Sequence, residues 1–282
     1  MKYIIMPLLV ATFLQAHGLK SSITTTYETL DFKNSIQKND GVRYSLGGVI
    51  TKDNSTYKLT FERTITDTKK PPLKENLLVS KLYAKYAYKF TNGIKINLNH
   101  LNILSDNLVP TNHAKTYGIG LGYSFDKNTF INITQYYTDF REFKSYQSDL
   151  KLEHQIFFDK MMLKVTTIAK YIKLDDYKNN FFSKNADSDY LTAGIKLHSH
   201  YKDYHFGTGI YLGKRAFAIM KDGFALQHHA MEFNKTYMVG IGKNISNSII
   251  SIKYMYAIAT ELPMQNKDVK VQNLILSLKY NF

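Results

Sequence analysis

The sequence predicts an all-β chain: a transmembrane, antiparallel, up-and-down β-barrel of about fourteen strands. Three observations carry this. Apolar residues recur at every second position rather than at helical spacing, short turn-forming breaks alternate with longer polar ones, and aromatic residues gather beside the short breaks.

The first element is a leader. Lys2 precedes the apolar run Ile4–Leu14, and small residues follow at Ala16 and Gly18. This is the charge, core and cleavage-site order of a secretory signal peptide, and the run is too short for a bilayer, which needs ~20 residues. Cleavage after Gly18 is expected, with Ala16 as the second choice, so 1–18 is read as signal peptide and 19–282 as barrel. Later apolar runs are interrupted by charges or amides well before ~18 residues, so no membrane helix is expected. The 282 residues include 22 Tyr and 17 Phe but no Cys, which excludes disulfides and thiolate metal sites. The net charge of +14 would point to nucleic acid in a soluble protein. The export signal argues against that partner.

The strands follow from alternation. Leu82, Ala84, Tyr86, Tyr88 and Phe90 alternate with Tyr83, Lys85, Ala87 and Lys89. Tyr117, Ile119, Leu121, Tyr123 and Phe125 alternate with Gly118, Gly120, Gly122 and Ser124. Leu274, Leu276, Leu278, Tyr280 and Phe282 alternate with Ile275, Ser277, Lys279 and Asn281. A strand with one apolar face and one polar or small face produces this pattern.

The turns follow from local chemistry. Short breaks stand at Lys52-Asp53-Asn54, Thr91-Asn92-Gly93, Asp126-Lys127-Asn128, Asp159-Lys160, Lys202-Asp203 and Asn244–Asn247. Asn, Asp and Gly tolerate the backbone angles of tight hairpins. Longer breaks lie near 35–41, 67–76, 105–115, 141–146, 174–188, 214–231 and 261–268. Six short turns and seven long loops divide the chain into fourteen strands. One miscounted hairpin would make it twelve or sixteen.

Beside the short turns stand Tyr57, Phe90, Phe125, Phe130, Phe158, Tyr201, Tyr204 and Phe206, with Tyr280 and Phe282 on the same side. They are expected to form an aromatic girdle at one membrane interface. Lys235 and Lys243 fall on the apolar face of their strand, near its ends, where long side chains can snorkel.

The last ten residues carry a motif. Counting back from Phe282, Tyr280, Leu278, Leu276 and Leu274 are apolar, and Gln272 breaks the series. This resembles the C-terminal assembly signal of Gram-negative, porin-like outer-membrane barrels. The resemblance implies recognition by the barrel-assembly machinery and residence in the bacterial outer membrane, among its lipid and lipopolysaccharide. No narrower family follows from it.

A barrel of this strand number is too wide for side chains alone to fill. The basic residues assigned to the inner face are Arg43, Lys58, Lys81, Lys85, Lys89, Lys95, Lys151, Lys164, Lys170, Lys196, Lys253 and Lys279, against the acids Glu28, Glu62, Asp149 and Glu153. Cationic rings favour anions. The expectation is a channel for passive diffusion of small polar solutes with an anion preference. Lys81, Lys85 and Lys89 share one face of one strand and form the natural group to reverse in charge. Loop 214–231 has the length to fold inward but is short for a full plug.

His200 and His205 flank the turn Lys202-Asp203 and pair across it. Protonating both below about pH 6.5 would add repulsion at the mouth, a candidate pH gate. Two histidines are too few for a metal site, and neither metal nor cofactor is expected. No catalytic constellation is evident: Ser199 alternates away from His198 and His200, and His228-His229 lies in a loop with only Glu232 nearby. The alternatives are a closed barrel that binds or adheres through its outer loops (174–188 with Phe181 and Phe182, or 214–231) and, behind it, a barrel enzyme.

Overall fold

The computed structural model describes residues 19–69, 75–107 and 111–282. The leader expected at 1–18 lies outside them, as do parts of the breaks near 67–76 and 105–115.

Sixteen strands occur in chain order among the described residues. They are β1 (Lys20–Lys33), β2 (Lys38–Lys52), β3 (Ser55–Thr68), β4 (Leu77–Lys89), β5 (Ile94–Asp106), β6 (Lys115–Ser124), β7 (Thr129–Phe140) and β8 (Phe143–Phe158). Then follow β9 (Met161–Asp175), β10 (Asp189–Tyr201), β11 (Tyr204–Arg215), the two-residue β12 (Ile219–Met220) and β13 (Ala225–Leu226), β14 (Met231–Ile245), β15 (Ser248–Glu261) and β16 (Asn266–Asn281). Fourteen of them form one closed antiparallel barrel, each pairing with its sequence neighbours. β12 and β13 pair only with each other. The barrel closes where β1 meets β16, from Ser22 opposite Asn281 to Lys33 opposite Lys270. Closure leaves no sheet edge, as a membrane barrel requires.

All six short turns form where expected. Asp53, Gly93, Asp159, Lys202 and Ser246 take positive φ in them, at 51°, 87°, 42°, 52° and 52°. The break expected at 141–146 is only Arg141 and Glu142, because Phe140 and Phe143 stack at 4.6 Å and carry the pairing almost to the tip.

The burial pattern is inside out relative to a soluble protein. Ile119 and Leu121 are each 61% exposed on the outer face of β6. Such an apolar outer belt suits hydrocarbon rather than water. Most of the expected girdle points outward, including Tyr57, Phe125, Phe158, Tyr201 and Phe206. Phe130 does not. It lies on the inner face, where a Cβ on Gly122 would meet its ring at 2.5 Å and where the Lys95 ammonium sits 5.7 Å from the ring centre. On the outer face, the Lys243 ammonium rests 5.4 Å from the centre of the Tyr204 ring near the short turns, which gives a snorkelling cation a partner.

Candidate functional site

The site is the lumen, and the segment after β11 shapes it. Register shifts occur at both roots of this segment, between Leu212 and Arg215 on β11 and between Phe233 and Lys235 on β14. Bulges bend and twist the strands that carry them. From there the chain turns into the barrel, and β12 and β13 form a small hairpin against the inner wall.

Named contacts hold the hairpin. Gln147 on β8 grips Ile219 from both sides: it accepts from the Ile219 N–H at 2.7 Å and donates to the Ile219 carbonyl at 2.8 Å. Lys170 on β9 donates to the same carbonyl at 3.0 Å and is paired with Asp149. Asp222 at the tip meets Lys151 at 3.0 Å. Gly223 has φ 99°, and a Cβ there would meet the Asn99 side chain at 2.9 Å. The Phe217 ring packs edge-on to Phe140 and Phe143 at 5.5 and 4.8 Å. Ala216, Phe217, Ala218, Ile219 and Leu226 thus join Val79, Leu101, Ile103, Ile172 and Tyr190 in one apolar core inside the barrel. A lumen too wide for wall side chains alone is partly filled by its own loop.

The loop covers the wall formed by β4 to β10. Beside it a cavity of about 600 Å³ remains against β1 to β3, β10, β11 and β14 to β16, with Lys81 of β4 and the returning limb of the loop also in its lining. Its lining runs from Phe32, His228 and His229 at the long-loop end to His198, His205 and Ser251 at the short-turn end. Met220, Met231, Met238 and Met255 give it an apolar, deformable surface.

The inner face carries all twelve basic residues assigned to it: Arg43, Lys58, Lys81, Lys85, Lys89, Lys95, Lys151, Lys164, Lys170, Lys196, Lys253 and Lys279 sit at inward register positions. Their environments differ with height. Lys81, only 2% exposed, bonds Glu62 at 2.8 Å; Glu62 is 3.5 Å from Arg43, and Arg43 is 3.0 Å from Glu28. Lys164 lies 3.8 Å from Glu153. Among the described residues, no carboxylate lies within 4.0 Å of Lys58, Lys95, Lys196 or Lys253. Lys58 and Lys85 each place their ammonium 5.9 Å from the centre of Phe224, and Lys85 donates to the Asp222 carbonyl at 3.2 Å. The loop tip therefore reaches down to this group of cations.

Two features escape the sequence reading. Arg215 is 1% exposed, lies 5.4 and 5.3 Å from the Tyr211 and Phe233 ring centres, and bonds Thr236, while its Nε and Nη1 have no hydrogen-bond partner. His200 and His205 stand opposite each other as the register demands, but His198 joins them on the same face. Its Nε2 lies 2.7 Å from His200 Nε2, and His205 Nε2 bonds Asn244 Oδ1 at 2.6 Å. The i, i+2 spacing of His198 and His200 was the available signal. Ser199 lies on the opposite face, paired between Leu163 and Phe206.

No protein-family profile and no curated protein sequence matches the chain. Solved structures do. A TodX deltaS2S3 mutant, a monoaromatic hydrocarbon channel, superposes with a TM-score of 0.58 at 11% identity, over 94% of this chain and 91% of that one. A bacterial polysaccharide outer membrane secretin gives 0.56 at 9%, over 95% and 100%. The Acinetobacter baumannii outer membrane protein Omp33 gives 0.52 at 9%, over 94% and 100%. The fold is that of bacterial outer-membrane barrels. At these identities the likeness is one of fold, and the lumen must be read from its own residues.

Proposed function

We propose that the protein is a bacterial outer-membrane channel for passive diffusion of small polar solutes, with a preference for anions. In this reading the short turns face the periplasm, the long loops face outward, and the strand ending at Phe282 is the segment the assembly machinery takes. One observation carries the anion preference: on the inner face Lys58, Lys95, Lys196 and Lys253 have no carboxylate within 4.0 Å among the described residues, and Lys196 and Lys253 line the cavity itself. Cationic rings of this kind favour anions in pores. The buried guanidinium of Arg215, also on the cavity wall, adds to the positive field.

The test is a reversal potential in a planar bilayer under a KCl gradient. The parent is expected to favour chloride, and Lys58→Glu, Lys95→Glu and Lys196→Glu together are expected to reverse the sign. Cation preference in the parent would contradict the proposal. The structure moves the best group to reverse away from Lys81, whose charge is already engaged by Glu62.

The second reading, a closed barrel acting through its outer loops, is favoured by the filling of the long-loop half and by Phe181, which stays 53% exposed beside Phe182. Absence of conductance in correctly folded protein would select it. Neither reading is catalytic.

A further inference from the structure

The returning limb of the inserted loop places two imidazoles against a carboxylate. His228 and His229 follow β13 and are pressed toward Asp106, the last residue of β5. His228 Nε2 lies 3.5 Å and His229 Nε2 3.7 Å from Asp106 Oδ2. Both Nε2 atoms are buried and neither has a hydrogen-bond partner. The donor atoms of the three residues lie within 4.8 Å of one another.

The surroundings prepare these atoms as ligands. His228 Nδ1 is 3.0 Å from the Leu226 carbonyl, a bond that requires the proton on Nδ1 and so leaves the Nε2 lone pair directed at Asp106 in the neutral ring. Asp106 Oδ2 accepts from Thr111 Oγ1 at 2.7 Å. Outer contacts of this type orient metal ligands. A neutral Nε2 facing a carboxylate oxygen is lone pair against lone pair, and a cation between them resolves it. Donors bound at ~2.1 Å with tetrahedral angles sit ~3.4 Å apart. The two separations from Asp106 need to close by only a few tenths of an ångström, and the two ring nitrogens lie within 4.8 Å of each other. The nearby cation Lys38 donates to the His229 backbone carbonyl at 3.2 Å, which leaves the ring nitrogen clear but opposes a second positive charge.

The lumen triad His198, His200 and His205 offers three nitrogens within 4.8 Å as well, but its nitrogens already bond one another and Asn244. Of these two clusters among the described residues, the loop cluster is the one that combines a carboxylate with unpartnered nitrogens.

We propose that Asp106, His228 and His229 form a divalent transition-metal site of the Zn(II) type. Two imidazoles and one carboxylate suit Zn(II), and Co(II) is its spectroscopic substitute. The ion joins the returning limb of the loop to the end of β5. An ion that binds the docked loop and not a released one holds it in place by mass action. The binding claim stands without the channel reading, which conductance tests separately.

The experiment is a Co(II) titration of the folded, metal-stripped full chain in detergent, followed by its visible absorption and by competition with Zn(II). One Co(II) per chain is expected. His228→Ala with His229→Ala should abolish it, and Asp106→Asn should weaken it about tenfold or more. His198→Asn with His200→Asn and His205→Asn should leave it unchanged. Heat-modifiable migration on gels checks that each variant is folded, and His229→Gln replaces the alanine pair if that pair does not fold. No stoichiometric binding by the parent, or binding that survives the loss of His229 or is lost with the lumen triad alone, overturns the proposal.

Discussion

The two halves of the lumen are built differently. Toward the long loops, most charged groups on the wall are paired: Glu28, Arg43, Glu62 and Lys81 form a chain of ion pairs, Asp149 holds Lys170, and an apolar core forms around Phe217; Arg215 is the exception, held by Thr236 and two aromatic rings rather than by a carboxylate. Toward the short turns, Lys58, Lys95, Lys196 and Lys253 stand on the inner face with no carboxylate within 4.0 Å among the described residues. Burying a charge without a counter-charge is costly, which the ion pairs of this half offset. Charges in a wet passage need no partner. The upper half is therefore built for packing and the lower half for field, and the boundary lies at the loop tip around Asp222.

Removing the boundary is expected to have the largest effect. A short Gly-Ser linker in place of residues 217–227 should raise single-channel conductance several-fold while the barrel stays heat-modifiable. Unchanged conductance would mean that the loop does not narrow the passage.

Next, the halves should respond to different probes. Glu62→Gln leaves Lys81 buried without its counter-charge, and breaking such a pair costs about 3–5 kcal/mol. Unfolding in detergent and urea should show the loss, with ion selectivity nearly intact. Lys196→Glu should do the reverse: selectivity shifts and stability barely moves. If both variants alter the same property, the division of labour fails.

A smaller effect is expected from Gln147→Ala. It leaves both backbone groups of Ile219 short of their side-chain partner, at about 1–3 kcal/mol for each group left unsatisfied. Lys170 still bonds the carbonyl, so the loop should loosen rather than leave. Current traces would show this as added noise without a new mean level.

The smallest effect concerns the lumen histidines. Protonation places like charges on cross-strand neighbours His200 and His205. Conductance should differ modestly between mildly acidic and neutral pH, and His200→Asn with His205→Asn should remove the difference. A flat pH profile in the parent would exclude a gate.

The barrel was legible because its determinants are local. Alternation and turn chemistry act within a few residues, so strand number and all six short turns could be read off directly. Where a distant contact decides, the sequence was silent. The aromatic Phe130 follows Thr129 at the start of β7, and a single step of parity moves it from girdle to lumen. The break near 141–146 shrank because Phe140 and Phe143 stack on each other. The direction of loop 214–231 depends on Gln147 and Lys170, which belong to strands formed much earlier in the chain. His228 and His229 were visible as a pair, but their carboxylate comes from the end of β5. The lysine face was readable from alternation alone; which lysines are neutralised was not, since that depends on the height of acids on neighbouring strands.

The central claim is that unpaired cations in the lower half make this lumen an anion-preferring passage. The most direct measurement is the reversal potential of the folded parent protein in a planar bilayer under a KCl gradient. Conduction with the sign set by chloride is expected. A sign set by potassium, or a folded barrel that does not conduct, would contradict it.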